Sequence, residues 1–284
     1  MPLPVTRNRL KMKIHYSDKF QLTQTSLMSS WSWVKKCFAE DFETLSKSGV
    51  LRENGGAQII WSTKQKYVLK VPLNGRNYVF KSYRRVRDIR KYLFRLSPCG
   101  FEAYNYQQLA AAGLPMAKLL AAGDTRYFFR LKNMFLMTEF AENFRDGRDF
   151  QPGGNLFENT ALREEYIVRN LQFLAKCHDA GFVHAGFIPA NLLYQVRETP
   201  DEQGNNLVLC WIDVATARRF SLLYPPRKMI TDHVHFFRFL DIRGEDLRRY
   251  LQIYCDAVQV KRLSYEHLLK LLSKNRTLFP DKEK

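Results

Sequence analysis

Acidic residues are in short supply. The 28 Asp and Glu face 45 Lys and Arg over 284 residues, a formal charge of +17. So basic a chain is expected to meet an anionic partner: a nucleotide, a nucleic acid, a phospholipid surface or a phosphorylated glycolipid. Cysteine is scarce as well. Cys37, Cys99, Cys177, Cys210 and Cys255 are scattered, odd in number and without a CxxC pair, which fits reduced thiols in a reducing compartment and points to the cytoplasm. Long apolar runs are missing. The start, MPLPVTRNRLKMKIHYSDK, has no hydrophobic segment of the signal-peptide kind, and no stretch reaches the roughly 18 apolar residues of a spanning helix. The chain is therefore expected to be neither exported nor membrane-spanning. No internal repeat is visible, which sets repeat arrays aside.

Enough apolar residues remain for a sizeable core: 45% of the chain, with 14% aromatic and 26% charged, a globular composition. Residues 1–46 read as an N-terminal extension. Within it SSWSWVKKCFAEDFETLSKSG places Trp33, Phe38 and Phe42 near one helical face and stops at Gly49. Such a helix packs on the body or lies at a membrane interface. From Val50 to Tyr83 the pattern turns to strands. QIIWSTKQKYVLKVPL and NYVFKSY flank Asn74-Gly75, a strong hairpin signal, and an earlier turn at Asn54-Gly55-Gly56 suggests a three-stranded meander. RRVRDIRKYLFRL follows, with Arg84, Arg87, Lys91 and Arg95 forming a basic stripe at helical spacing. A second helix, FEAYNYQQLAAAG, ends at Gly113, and two further strands lie around DTRYFFRLK and NMFLMTEF. AENFRDGRDFQPGGN reads as a polar connector. Beyond it TALREEYIVRNLQFLAKCHDAG is a helix stopped by Gly181, and FVHAGFIPANLLYQV and NNLVLCWIDVATARRF are loop-plus-strand segments before a mainly helical end. A β-rich half, a hinge and a helical half imply a cleft between two lobes.

Phosphoryl transfer needs a cation on the nucleotide phosphates, a carboxylate to hold that cation, and hard oxygen ligands for magnesium. These occur in order along the chain. Lys81 lies inside the strand NYVFKSY, and Glu102 near the start of the next helix is a candidate ion-pair partner. FLMTEFAE runs from strand into hinge, where backbone groups of Glu139 and Ala141 suit an adenine edge. Asn191, after His184 and Pro189 in HAGFIPANLLY, and Asp213, ending VLCWID, would present oxygens to one magnesium ion from the ends of adjacent strands. Each residue alone also fits a structural role. His184 alone reads as a hydrogen-bonded structural histidine.

Together these segments resemble the protein-kinase-like superfamily and, within it, the lipopolysaccharide core kinases that phosphorylate Kdo or heptose. VFKSYRR resembles the phosphate-lysine strand, FEAYNYQQLAAAGLP the glutamate helix, HAGFIPAN the catalytic loop and IDVATAR the metal-aspartate segment. ITDHVHFFRFL and LRRYLQIYC resemble the closing helices and place Asp232 where an aspartate steadies the catalytic loop. The resemblance spans roughly residues 47–256. It implies an α+β, two-lobed protein-kinase-like fold, with an N-lobe over 47–141 and a C-lobe over 142–284. It implies ATP and Mg2+ as cofactors, with Lys81, Asn191 and Asp213 catalytic, Lys81, Glu102, Glu139 and Ala141 binding nucleotide, and Asn191 and Asp213 binding metal. The implied acceptor is the lipopolysaccharide core glycolipid. The basic helix over 84–95 would meet the anionic inner face of the cytoplasmic membrane, making the protein cytoplasmic and peripheral.

Two departures stand out. No GxGxxG is present, leaving Asn54-Gly55-Gly56 to cover phosphates, and Gly186 stands where the loop H-x-D-x-x-P-x-N carries the aspartate that receives the hydroxyl proton. Gly186 supports a second reading, a pseudokinase-type nucleotide-binding scaffold or regulator. Nucleic-acid binding rests on charge and interleaved aromatics alone and is set aside.

Overall fold

Asn74 and Gly75 both take positive φ, 51° and 73°, the type I′ geometry that these two residue types adopt at low cost. The strands they join run in unbroken antiparallel register from Lys66↔Tyr83 to Leu73↔Arg76. This hairpin lies within one of two compact units. In the computed structural model, which describes residues 15–16, 31–34, 36–52, 55–83, 96–127, 130–220, 227–260, 264–275 and 278, the first unit comprises residues up to Ala103 with Lys118–Phe140. The second comprises Tyr104–Ala117 and the chain from Ala141 on.

The first unit contains β1 (His15–Tyr16), β2 (Trp31–Val34), α1 (Ala39–Ser48), β3 (Gln58–Ser62), β4 (Lys66–Leu73), β5 (Arg76–Tyr83), the start of α2 (Pro98–Ala111), β6 (Leu119–Tyr127) and β7 (Arg130–Glu139). Its sheet runs β1-β2-β6-β7-β5-β4-β3. One sheet face is covered by Phe38, Phe42 and Leu45, which form one buried cluster with Val34, Leu69, Val71, Tyr78, Phe80 and Met137. Each large side chain so buried contributes about 1.5–3 kcal/mol. Asp41 of α1 accepts hydrogen bonds from the Tyr78 hydroxyl and the Asn74 amide, both at 3.0 Å, and α1 ends at Gly49 with φ 76°.

Three sequence expectations change here. Trp33 lies on strand β2, not on the helix, because Trp-Ser-Trp-Val alternates with period two and finds antiparallel partners along Ala121–Asp124 of β6. The meander β3-β4-β5 arises by a turn at Thr63–Gln65 inside the longer apolar segment, not at residues 54–56. The connector after Glu139 holds a two-residue strand, β8 (Arg145–Asp146), too short to show any periodicity. The stripe of Arg84, Arg87, Lys91 and Arg95 lies outside the described residues.

The second unit continues with α3 (Thr160–Asp179), β9 (Phe182–Val183), β10 (Leu192–Val196), β11 (Leu207–Trp211), β12 (Arg218–Arg219), α4 (Arg227–Phe239), α5 (Gly244–Ala257) and α6 (Tyr265–Leu272). Asn159 caps α3 by accepting from the Leu162 amide at 3.1 Å, and Gly181 ends the helix turn at φ 81°. Tyr166, Ile167, Leu171, Leu174 and Ala175 form its buried face. Asn170 on that face accepts from the Trp211 indole at 2.9 Å, fixing the largest fully buried side chain of the unit.

Buried among these helices, His233 stacks edge-on against Tyr254 with ring centroids 4.3 Å apart. Burial, followed by the charge of His178, lowers its pKa to about 4. The folded imidazole therefore stays neutral where the unfolded one takes up a proton. The resulting stability is complete above the ordinary histidine value near 6.5 and is lost as pH falls toward 4. About 3 kcal/mol is at stake for such a displacement. Urea midpoints at pH 7 and pH 4.5 test this: the parent should lose stability on acidification and His233→Phe should lose distinctly less. An equal loss in both would remove His233 as the cause.

Candidate functional site

Two groups of side chains stand out, one in each unit. Alternation along β5 puts Phe80 into the packed face and Lys81 on the opposite one. There Lys81 Nζ meets Glu102 Oε1 at 2.8 Å, with side chains only 8% and 1% exposed. Burying both charges carries a desolvation cost that the pair recovers only with good geometry. Such a pair contributes little stability and holds an ammonium group in one place. The Tyr83 hydroxyl lies 3.5 Å from Glu102 Oε2. Burial, and then the Glu102 charge, push the adjacent Cys99 thiol well above its ordinary value; that cysteine is an inert packing group.

Backbone contacts bear on two of the segments named from the sequence. The Glu139 amide donates to the Lys118 carbonyl at 2.9 Å and the Ala141 carbonyl accepts from the Phe144 amide at 3.3 Å, so the Glu139 amide is already engaged. Gly55 is tucked against the end of α1, where a Cβ would collide with the Gly49 carbonyl, and its amide donates to Arg52. Its absence of a side chain thus serves this close approach, whereas Gly56, at φ 90°, has open space around it.

In the second unit Asp232 of α4 organises the loop after β9. Its Oδ2 accepts from the His184 amide at 2.9 Å and its Oδ1 from the Ala185 amide at 2.7 Å, while His178 Nε2 lies 3.3 Å away. Burial alone would raise the Asp232 carboxyl, but the His178 hydrogen bond and charge, with the neighbouring His184, hold it below its ordinary value. His178 is fixed in turn by the Tyr254 hydroxyl at 2.6 Å. Ala185 sits at φ 58°, a left-handed conformation costing an alanine about 1–2 kcal/mol, and the Asp232 bond to its amide secures it. His184 is fully buried, and neither ring nitrogen has a hydrogen-bond partner among the described residues. Burial lowers its pKa, against the charges of Asp232 and Asp213.

Asn191 and Asp213 are brought together by the sheet. Leu192 pairs with Trp211, and the Ile212 amide donates to the Asn191 carbonyl at 2.9 Å, so Asn191 stands beside the residue preceding Asp213. The Asn191 side chain donates to the Gly186 carbonyl at 2.9 Å. Asp213 has φ 54°, and its amide donates to the Tyr106 hydroxyl at 3.1 Å. Asn105 donates to the carbonyls of Val214 and Ala217, at 2.9 and 3.0 Å, pinning the next turn. Asn105, Tyr106, His178 and Tyr254 carry no sequence signal for these roles, because their partners lie far along the chain. Gly186 leaves a notch. A Cβ there would lie 3.0 Å from Thr216 Oγ1 and 3.6 Å from both Asn191 Nδ2 and His184 Nδ1.

Hollows and chemistry do not coincide. Cavities of about 700 and 800 Å³ in the second unit are lined by Arg169, Lys176 and Asp179, and by Arg145, Tyr194 and Arg197; neither contains Asn191 or Asp213. Convergent polar side chains are the better guide, since these cavities are open surface depressions. Among the described residues no group of three His, Cys, Asp or Glu side chains could hold a metal ion. No helix among them is long and apolar enough to cross a membrane.

No protein-family model matches the chain, and no curated protein matches it in sequence. Among solved structures it superposes on WaaP in complex with acyl carrier protein with a TM-score of 0.63 at 17% identity, over 87% of this chain and 99% of that one. The kinase domain of PF14_0431 gives a TM-score of 0.42 at 15% identity, over 81% and 77% of the respective chains. The likeness to WaaP establishes the fold, an α+β architecture of the protein-kinase-like kind, as the order of sequence motifs implied.

Proposed function

We propose that this protein is an ATP-dependent phosphotransferase of the protein-kinase-like superfamily, acting on a sugar hydroxyl of the lipopolysaccharide inner core, Kdo or heptose. The buried Lys81–Glu102 pair at 2.8 Å carries the reading, because a phosphate-binding cation must be held in position before its ligand arrives. The sugar acceptor is supported by the motif resemblance to the lipopolysaccharide core kinases, and the phosphotransferase class by the fold shared with WaaP. In this proposal Lys81 binds the α and β phosphates, and the Glu139 carbonyl with the Ala141 amide receives the adenine edge. Asn191 and Asp213 hold magnesium, which takes few protein ligands beside phosphate oxygens and water, so an amide and one carboxylate suit it. When bound, magnesium neutralises charge on the transferring group. The basic stripe between Arg84 and Arg95 would serve contact with an anionic membrane at the cytoplasmic face, consistent with the charge of +17.

Gly186 supports the alternative, a nucleotide-binding scaffold without turnover. Asp179, the acid nearest in sequence, offers no replacement base: its two oxygens accept from the Gln259 and Val260 amides at 3.0 and 2.9 Å. Calorimetry with magnesium and ATP tests the reading. Lys81→Met and Asp213→Ala should each weaken binding about tenfold or more, the worth of one charge-assisted contact. Unchanged affinity in both variants would sink the nucleotide-site assignment.

A further inference from the structure

The hairpin turn joining β3 to β4 lies at the end of the sheet nearest Lys81. In a glycine-rich loop, free backbone amides at this place would cover phosphates. Here the amides of Thr63, Gln65 and Lys66 are engaged within the turn. The Thr63 amide donates to the Lys66 carbonyl at 2.8 Å, and Thr63 Oγ1 accepts from the Gln65 and Lys66 amides, both at 3.2 Å. If nucleotide phosphates are met here, side chains must do most of it.

Strand register identifies which. Lys66 pairs with Tyr83 and Val68 with Lys81, while Trp61 of β3 pairs with Val68. Directly paired residues share a face, so Trp61, Lys66, Val68, Lys81 and Tyr83 all project from the side of the sheet that carries Lys81. The Lys66 ammonium is 4.7 Å from the Trp61 ring centroid and 5.9 Å from that of Tyr83. Lys81 Nζ is 5.7 Å from the same Tyr83 ring. Two ammonium groups are thus steered to one aromatic side chain by cation–π attraction, and the Lys66 charge is felt at Cys99 together with those of Lys81 and Glu102.

We propose that Lys66 is a second phosphate-binding cation, acting beside Lys81 in place of the amides of a glycine-rich loop. The inference rests on the nucleotide reading above. Trp61, which is 46% exposed, and Tyr83 position the ammonium group, and the Thr63 turn fixes the start of the strand that bears it.

Calorimetry with ATP, ADP and AMP in the presence of magnesium separates the possibilities. Lys66→Met should weaken ATP and ADP about tenfold, the loss of one charge-assisted contact, while AMP binds as before and Lys66→Arg restores ATP affinity. Lys66→Gln, with melting temperatures for every variant, guards against a variant that does not fold. Parent-like ATP affinity in Lys66→Met would overturn the inference, as would equal weakening of ATP and AMP with a lowered melting temperature. If Lys81→Met loses ATP and Lys66→Met does not, the inference falls and the nucleotide site stands. A parent without affinity for any of the three nucleotides would overturn both.

Discussion

Gly186→Asp should raise phosphate transfer to core glycolipid about 10²- to 10⁴-fold over the parent, the usual contribution of a positioned general base. The backbone raises no objection, because the φ of Gly186 lies outside the left-handed region. Space is the constraint. The new Cβ would stand 3.0 Å from Thr216 Oγ1, a hydroxyl that donates to the His184 carbonyl at 3.2 Å, so Thr216 must give by a few tenths of an ångström. Pairing the change with Thr216→Ala relieves this contact and should show the gain in full. The parent should retain slow transfer, since phosphoryl transfer relies mainly on positioning and charge stabilisation. Labelled ATP and core glycolipid, with Asp213→Asn as the inactive control, provide the measurement. If the parent binds ATP and both aspartate-bearing variants still transfer nothing, the scaffold reading prevails.

The second large effect is on stability. Asp232→Ala should cost about 3–5 kcal/mol, the range for breaking a buried charged network by removing one partner. The carboxylate is fully buried, and two backbone amides and His178 would lose their acceptor at once. Ala185 would then keep its left-handed conformation without the bond that secures it. Acid should reproduce part of this effect. Because the folded Asp232 carboxyl lies below its ordinary value, its contribution is complete above the unfolded value near 4 and disappears as pH falls through the folded one. Urea unfolding at pH 7 is the direct test. A midpoint close to that of the parent would mean that the loop after β9 is held by its neighbours and not by Asp232.

The fold was most legible where one residue type has few alternatives. Asn74-Gly75 marks its turn because few other pairs take positive φ twice at low cost, and Gly181 marks the end of α3 for a similar reason. Lys81 and Glu102 were found as a pair because a strand lysine followed by a helix glutamate is a local pattern. Asp232 came through resemblance alone, as its partners at 184 and 185 leave no mark on residue 232 itself. Trp33 misled because its spacing to Phe38 and Phe42 mimics a helical face, while the strand that pairs with it is distant in the chain. Glycine misled too. Gly55 looks like part of a flexible cover and sits instead at a close approach of two backbones. Lys66 could not be singled out, since only strand register shows which of the lysines around it shares a face with Lys81.

The placement of β2 also bears on how the chain is made. During synthesis the β4–β5 hairpin can close as soon as Arg76–Tyr83 has emerged, and it offers Tyr78 and Phe80 to Phe38 and Phe42 almost at once. β2 has to wait. Its antiparallel partners, Ala121–Asp124, arrive only after α2 and the segment before it have been made, and long-range pairing of this kind is slow and leaves sheet edges open in the meantime. β2 is therefore translated early and secured late, and a ribosome stalled before β6 would display a half-built sheet with the β6-facing edge of β2 still open.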